Sequence, residues 1–356
     1  MIQSLICLVP IAVLFLWKAK IAGIGKIFDD YMSVDNMQNI RGMLAILIVI
    51  HHFSGMIEEK SVFFLFNHIG YLVVALFLFL SGYGLAYGVQ NKPGYINGVK
   101  FLYTRIPKLI IPYWVAVIIY AVGYLAAGEP ITWKAILLSF VSFKSIVGLG
   151  SSWYIFELIV LYILFFLSFK IKNRKIALSV LFFLVAACAI VFYIGDSFSD
   201  VWYRSIFAFP LGVFYSLKKD KIESFLLNKT LVRYIALILS LIVLLSLKYV
   251  CVILGLTYLQ ILFDIISSAM FSLVAVIILR KIKLGNKALS FLGSISFEIY
   301  LIHFLLVKLV YSFYFNGQIN LLLYFVISIV SVISVAYIMS FIDKNLTKLY
   351  GKIITK

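Results

Sequence analysis

Apolar residues fall along this chain in long blocks separated by short polar clusters. About 20 apolar residues span a bilayer as a helix, and somewhat shorter runs can serve inside a bundle. Eleven blocks meet that description, near 3–17, 41–57, 68–88, 109–127, 152–169, 176–194, 203–217, 231–248, 259–279, 295–314 and 320–342. A further stretch, 131–147, is apolar but short and carries Lys134 and Lys144, so it reads as an interfacial or re-entrant segment. The pattern predicts an all-α polytopic membrane protein of about eleven transmembrane helices.

Composition agrees. Of the 356 residues 64% are hydrophobic and 13% charged, and mean hydropathy is +1.11, whereas soluble domains are roughly 45–50% apolar and about 25% charged. The 32 Phe and 23 Tyr suit lipid-facing and interfacial positions. The net charge of +17 does not point to nucleic acid, because the basic residues fall in short clusters between apolar blocks and make no single solvated patch. Clusters around 18–41, 92–108, 170–175, 218–229, 280–287 and 344–356 hold most of the 31 basic residues, and the alternate loops are poor in them. Lys and Arg prefer cytoplasmic loops. The N-terminus is therefore expected outside and the C-terminus in the cytoplasm, which requires an odd number of spans. The N-terminal block lacks the basic start and small-residue cleavage site of a signal peptide and is expected to be retained. Cys7, Cys188 and Cys251 stand singly, without the spacing of a disulfide framework or a metal site.

Ionisable residues inside the blocks carry the candidate chemistry. In NIRGMLAILIVIHHF, His52 follows Arg41 by eleven residues, about 16 Å along a helix and nearly on the same face. His51 points roughly 100° away. Such groups are costly at membrane depth and normally face a bundle interior or a wet cavity; the structural alternative is a histidine bonded to a neighbouring helix. Glu157 follows Trp153 at the outer end of one block, Asp264 lies in another, and Glu298, Tyr300 and His303 share SISFEIYLIHF, with Tyr300 and His303 on one helix face. His68 reads as an interfacial residue. Arg105 and Lys108, just before a block on the cytoplasmic side, suit either the phosphates of an anionic cytosolic ligand or plain orientation of the chain. The stretch SGYGLAYG lacks the strand context of a dinucleotide motif, and its small residues are expected to allow close helix packing.

These motifs together resemble the acyltransferase-3 family of integral membrane acyltransferases. The resemblance is carried by Arg41-Gly42 with His52 in an R-x10-H pattern, then FLFLSGYGLAYG with Ser81, TRIPKLIIPYW, SSWYIFELIVLY, FPLGVFYSL and LGSISFEIYLIHF in the family's order. It covers about residues 36–345, leaving an extra N-terminal helix and linker at 1–35 and a short basic tail at 346–356. The family core usually has ten helices, and ten of the eleven blocks begin at or after residue 41. The resemblance implies transfer of an acyl group, commonly acetyl, from cytosolic acyl-CoA to a hydroxyl of a lipid-linked or cell-surface carbohydrate, with no metal. It implies catalytic roles for His52 and Arg41, a donor-binding element at Arg105 and Lys108, and supporting roles for His51, Ser81, Trp153, Glu157, Tyr300 and His303. Lys108 stands where the family has a second Arg, which keeps charge and loses a bidentate donor. Glu157 follows Trp153 by four residues where the family has five or six, a rotation of at least about 100° on a helix. A Lys- and Ile-rich, Arg-poor composition suggests a bacterial cell membrane and a capsule, exopolysaccharide or wall polymer as acceptor. The rival reading is a transporter or flippase for a lipid-linked saccharide or other polar solute, which would not consume a thioester; no internal repeat of the kind many transporters show is visible.

Overall fold

Each apolar block of the sequence lies mostly in helix. The computed structural model describes residues 2–23, 26–57, 61–96, 98–142, 152–195, 198–227 and 230–354. Of the residues singled out above, Lys144, Lys229 and Lys356 lie outside them, as does Ser151 at the head of SSWYIFELIVLY. Among the described residues the helices are α1 (Ile2–Leu16), α2 (Val34–Ser54), α3 (Gly70–Asn91), α4 (Lys100–Arg105), α5 (Pro107–Ala126), α6 (Trp133–Ser142), α7 (Ser152–Phe169), α8 (Arg174–Ile194), α9 (Val201–Arg204), α10 (Ala208–Leu217), α11 (Lys219–Leu227), α12 (Thr230–Ile253), α13 (Thr257–Leu279), α14 (Lys287–Ser294), α15 (Ser296–Phe315) and α16 (Leu321–Ile354). One two-residue antiparallel pair, β1 (Lys20–Ile21) with β2 (Ile282–Lys283), sets Lys20 opposite Lys283.

Among the described residues, eight helical stretches are long and apolar enough to cross a membrane: 62–91, 100–126, 152–169, 174–194, 231–253, 257–279, 296–315 and 321–353. Three expected spans fall short. Helix α1 has 15 residues and α10 has 10, while α2 is long enough but carries Asp35, Arg41, His51 and His52.

Helix α2 starts seven residues before the expected position. Ser33 caps it, its hydroxyl accepting from the Asn36 amide at 3.3 Å. The first two turns are polar yet packed inside the protein: Asn36 donates to the Tyr31 carbonyl at 2.7 Å, Gln38 to Ser290 at 2.8 Å and Asn39 to Leu284 at 3.0 Å. Hydropathy reads such residues as a boundary, whereas here their hydrogen bonds hold α2 against the start of α14. Arg41 thus stands in the second turn of a fixed helix rather than at its mouth.

The expected helix 203–217 is broken. After α9 the chain leaves helix for Ser205–Phe207 and resumes as α10, with Pro210 in the first turn, where its missing N–H costs nothing. Side chains satisfy the interrupted backbone: Ser268 donates to the Arg204 carbonyl at 2.7 Å, and Ser205 to Tyr71 at 2.9 Å. Non-helical backbone at this depth is tolerated where protein surrounds it or it lines a cavity. Helix α16 continues well past residue 342. Its 34 residues extend about 50 Å and carry its last turns beyond the hydrocarbon on the basic side.

The short apolar segment begins as α6 and lies along α5, where Tyr113 donates to the Ser139 carbonyl at 2.6 Å and Trp114 to Phe140 at 3.0 Å. The glycine stretch meets its expectation at one place. A Cβ on Gly82 would strike the Phe209 carbonyl oxygen, and one on Gly212 would strike that of Phe79, so α3 and α10 cross backbone to backbone. Gly82→Ala should therefore destabilise the protein by about 1–3 kcal/mol, read as a lower Tm in detergent. Gly84→Ala, whose Cβ would meet nothing within 4 Å, should leave Tm unchanged or slightly higher.

Candidate functional site

The last turns of α2 and the middle of α15 bring three imidazoles together. The His52 ring stands 4.7 Å from His51 and 4.8 Å from His303 between centroids, with Phe304 at 5.4 Å. His303 is 1% exposed, and its Nδ1 lies 2.7 Å from the Tyr300 carbonyl and 3.1 Å from that of Ile299. A carbonyl only accepts, so Nδ1 carries the proton and Nε2 presents a lone pair; that Nε2 is buried and has no partner among the described residues. His51 is fixed in the same way, its Nδ1–H donating to the Phe66 carbonyl at 2.9 Å. Its ring sits so close to Gly70 that any Cβ there would collide with it. The ring of His52 has no hydrogen bond among the described residues, which leaves both of its nitrogens available for a substrate.

Three cavities lie in series through the bundle. The one farthest from the basic end, termed outer for that position alone, is about 140 Å³ and is lined by His51, His52, Tyr71, Trp153, Ser205 and His303 among others, and Tyr300 also borders it. A middle cavity of about 220 Å³ shares Tyr300 and is lined by Arg41, Ser81, Tyr154 and Tyr162. An inner cleft of about 570 Å³ shares Arg41, Leu109, Ser296 and Phe297 with the middle one and adds Lys108, Lys344, Lys348, Glu298 and Asp343. Arg41 lines the middle cavity and the cleft, His52 lines the outer cavity, and Tyr300 borders both the outer and the middle one. Arg41 thus borders the route at its basic end and His52 at its far end, with the Tyr300 ring between, 4.6 Å from Tyr154 and 5.7 Å from His303. The Arg41 guanidinium has no hydrogen bond or ion pair among the described residues, and it lines the middle cavity with Tyr154 and Tyr162.

Other expected residues divide. Ser81 lines the middle cavity, donates to the Phe77 carbonyl at 2.9 Å and is within reach of the Tyr162 hydroxyl. Trp153 lines the outer cavity. Glu157 is fully buried, borders none of these three cavities, and neither oxygen has a partner among the described residues. The four-residue spacing from Trp153 has turned it away from the route. Arg105 and Lys108 part company because Pro107 begins a new helix between them. Lys108 reaches the inner cleft, while Arg105 donates to the Tyr95 hydroxyl at 2.5 Å and lies 5.0 Å from its ring centroid. Burial pushes the Tyr95 hydroxyl up, and the Arg105 charge opposes that.

Asp264 is held by cations: Lys248 Nζ at 2.5 Å and Arg204 Nε at 3.1 Å, with Asp200 also paired to Arg204. This ties α9, α12 and α13 together beside the outer cavity without joining it. Asp264→Ala should lower stability by about 1–3 kcal/mol, seen in thermal unfolding, with transfer per folded molecule preserved.

Sequence reasoning missed Tyr154 and Tyr162, Tyr71 and Ser205, and the meeting of Lys344 and Lys348 with Glu298 and Asp343 in the lining of one cleft. Tyr154, Leu158 and Tyr162 recur every four residues on one face of α7, a readable signal. The others come from elements whose juxtaposition no local pattern encodes. Among the described residues no group of three or more His, Cys, Asp or Glu could hold a metal ion.

A family model described as "Acyltransferase domain" (Acyl_transf_3) matches residues 34–341, from the first residue of α2 into α16. No curated protein and no solved structure matches the chain. With nearly its whole length matched, and with Arg41, Tyr300 and His52 along one internal route, this chain belongs to the acyltransferase-3 family of membrane acyltransferases.

Proposed function

We propose that the protein is an O-acyltransferase, most simply an O-acetyltransferase, that moves an acyl group from cytosolic acyl-CoA to a hydroxyl of a cell-surface or lipid-linked polysaccharide across a bacterial cell membrane. The observation that carries this reading is the series of cavities running from a basic cleft past Arg41 and Tyr300 to His52. Counting α1, α2 and the α9–α10 unit with the eight long apolar stretches gives eleven spans, with the N-terminus outside and the cleft in the cytoplasm.

The inner cleft suits an anionic donor: Arg41, Lys108, Lys344 and Lys348 outnumber Glu298 and Asp343, and neither carboxylate forms an ion pair among the described residues. A nucleotide phosphate held there leaves the slender thioester arm to extend through the middle cavity. Arg105 then acts indirectly, by fixing the α3–α4 loop through Tyr95. At the outer cavity the acceptor hydroxyl meets His52. As its oxygen bonds to the thioester carbonyl carbon, His52 takes the hydroxyl proton; the carbon–sulfur bond breaks and the departing thiolate receives that proton. His303, oriented by the backbone, and His51 hold the reacting ring in place, and the aromatic wall at Trp153 suits a sugar face.

Mass spectra of surface glycans from cells carrying the wild-type gene, no gene, or His52→Ala test this. One acyl unit per modified sugar should appear only with the wild type. Identical glycans in all three would refute the reading, and uptake of solute without consumption of thioester would favour a carrier.

A further inference from the structure

A second cleft lies at the start of α14, whose end borders the inner cleft, and shares no lining residue with the three cavities of the transfer route. Its upper part, about 480 Å³, is walled by Pro10, Val13, Leu14 and Trp17 of the first helix and its exit, and by Lys18, Asn286, Lys287 and Ala288. Its lower part, about 530 Å³, shares Lys18 and is lined by Ala19, Lys20, Lys283 and Gly285. The apolar wall belongs to the upper part alone, and ammonium groups run from it, at Lys18 and Lys287, into the lower part at Lys20 and Lys283.

The backbone builds this arrangement. Asn286 donates to the carbonyls of Leu14 at 2.7 Å and Trp17 at 3.2 Å, closing the end of α1, while its Oδ1 accepts from Leu289 N at 2.7 Å, capping α14. One side chain thus fixes both walls. Lys18 takes a left-handed φ of 58°, a conformation rare for residues other than glycine, and this turns the chain into β1. Pairing with β2 then sets Lys20 directly opposite Lys283. Like charges directly opposite are unfavourable on their own. Asp30 pairs with Lys283, but no carboxylate pairs with Lys18, Lys20 or Lys287 among the described residues. The cleft concentrates positive charge that the protein itself leaves unbalanced, next to a groove whose wall Val13 is 50% exposed and Trp17 60%.

We propose that this cleft binds one anionic phospholipid of the basic-side leaflet, its phosphate held by Lys18, Lys20 and Lys287 and an acyl chain laid along Val13, Leu14 and Trp17. A soluble anion would satisfy the lysines and leave the groove empty; a zwitterionic lipid would fill the groove and bring its own cation to the lysines. Only an anionic lipid meets both halves. The inference does not rest on the acyl-transfer reading.

The test is native mass spectrometry of the full-length protein released from mixed micelles containing phosphatidylglycerol or phosphatidylcholine. One phosphatidylglycerol should be retained in preference to phosphatidylcholine. The variant Lys18→Ala/Lys20→Ala/Lys287→Ala should bind it on the order of 100-fold more weakly, given the attraction of each lysine near an anionic surface. Lys20→Glu alone, at an exposed position, should weaken it in the same direction if the triple variant purifies poorly. Lys170→Ala/Lys172→Ala/Lys175→Ala, in another basic cluster of the chain, should retain the lipid. Equal retention of both lipids, equal loss in the two triple variants, or displacement by millimolar inorganic phosphate would overturn the proposal.

Discussion

His52→Ala is expected to lower acyl transfer on the order of 1,000-fold, within the ~10²–10⁴ range that a positioned general base contributes, while the protein still inserts and purifies. The ring contacts His51, His303 and Phe304 but makes no hydrogen bond among the described residues, so its removal breaks no polar support of the fold. Thermal unfolding of the variant separates loss of chemistry from loss of structure: Tm should fall only by the packing of one ring. His303→Ala should cost less in rate, because that ring orients His52 and does not take the proton, but more in stability, because its Nδ1–H is tied to the Tyr300 and Ile299 carbonyls in a fully buried place. A variant lacking His52 that transfers acyl groups at the wild-type rate would remove the base from the scheme.

Arg41→Ala is expected to lower kcat/KM for the acyl donor on the order of 100-fold, about 3 kcal/mol, as for truncation of one partner of a desolvated charge pair. The Arg41 guanidinium borders both the inner cleft and the middle cavity and has no protein partner among the described residues, so the binding of an anion is the interaction it loses. Arg41→Lys should recover part of the loss, since it restores charge but not the fork of donors. The effect should fall mainly on KM for the donor and leave KM for the acceptor unchanged. Steady-state kinetics with each substrate varied in turn check this, and equal effects on both substrates would argue that Arg41 supports the fold of α2 instead.

The distribution of legible and hidden features follows from what periodicity can record. Long apolar blocks and clustered lysines are local, and they mark the helices well. The first two turns of α2 stayed hidden because their polar residues are packed inside by side-chain bonds, Asn36 to the nearby Tyr31 carbonyl and Gln38 and Asn39 to carbonyls far along the chain. The break before α10 stayed hidden because what holds it lies in distant helices: Ser268 of α13 donates to the Arg204 carbonyl, and the Tyr71 carbonyl of α3 accepts from Ser205. At the site, i, i+3 spacing sets Tyr300 beside His303, and both border the outer cavity. The meeting of α2 with α15 depends on tertiary packing: Gly42 lets α14 approach until a Cβ would strike the Leu289 carbonyl, and Gly293 does the same against Gln38. Lys344 and Lys348 looked like topology signals because their second role exists only once α16 overshoots the membrane beside Lys108.

The central claim is that donor and acceptor approach His52 from opposite sides of the membrane. In sealed proteoliposomes, labelled acyl-CoA supplied outside serves only molecules whose basic cleft faces outward, with the glycan acceptor enclosed in the lumen. The label is predicted to appear on the enclosed glycan, with free CoA remaining outside, and to vanish with His52→Ala. Label that appears only when donor and acceptor share one compartment would contradict the account.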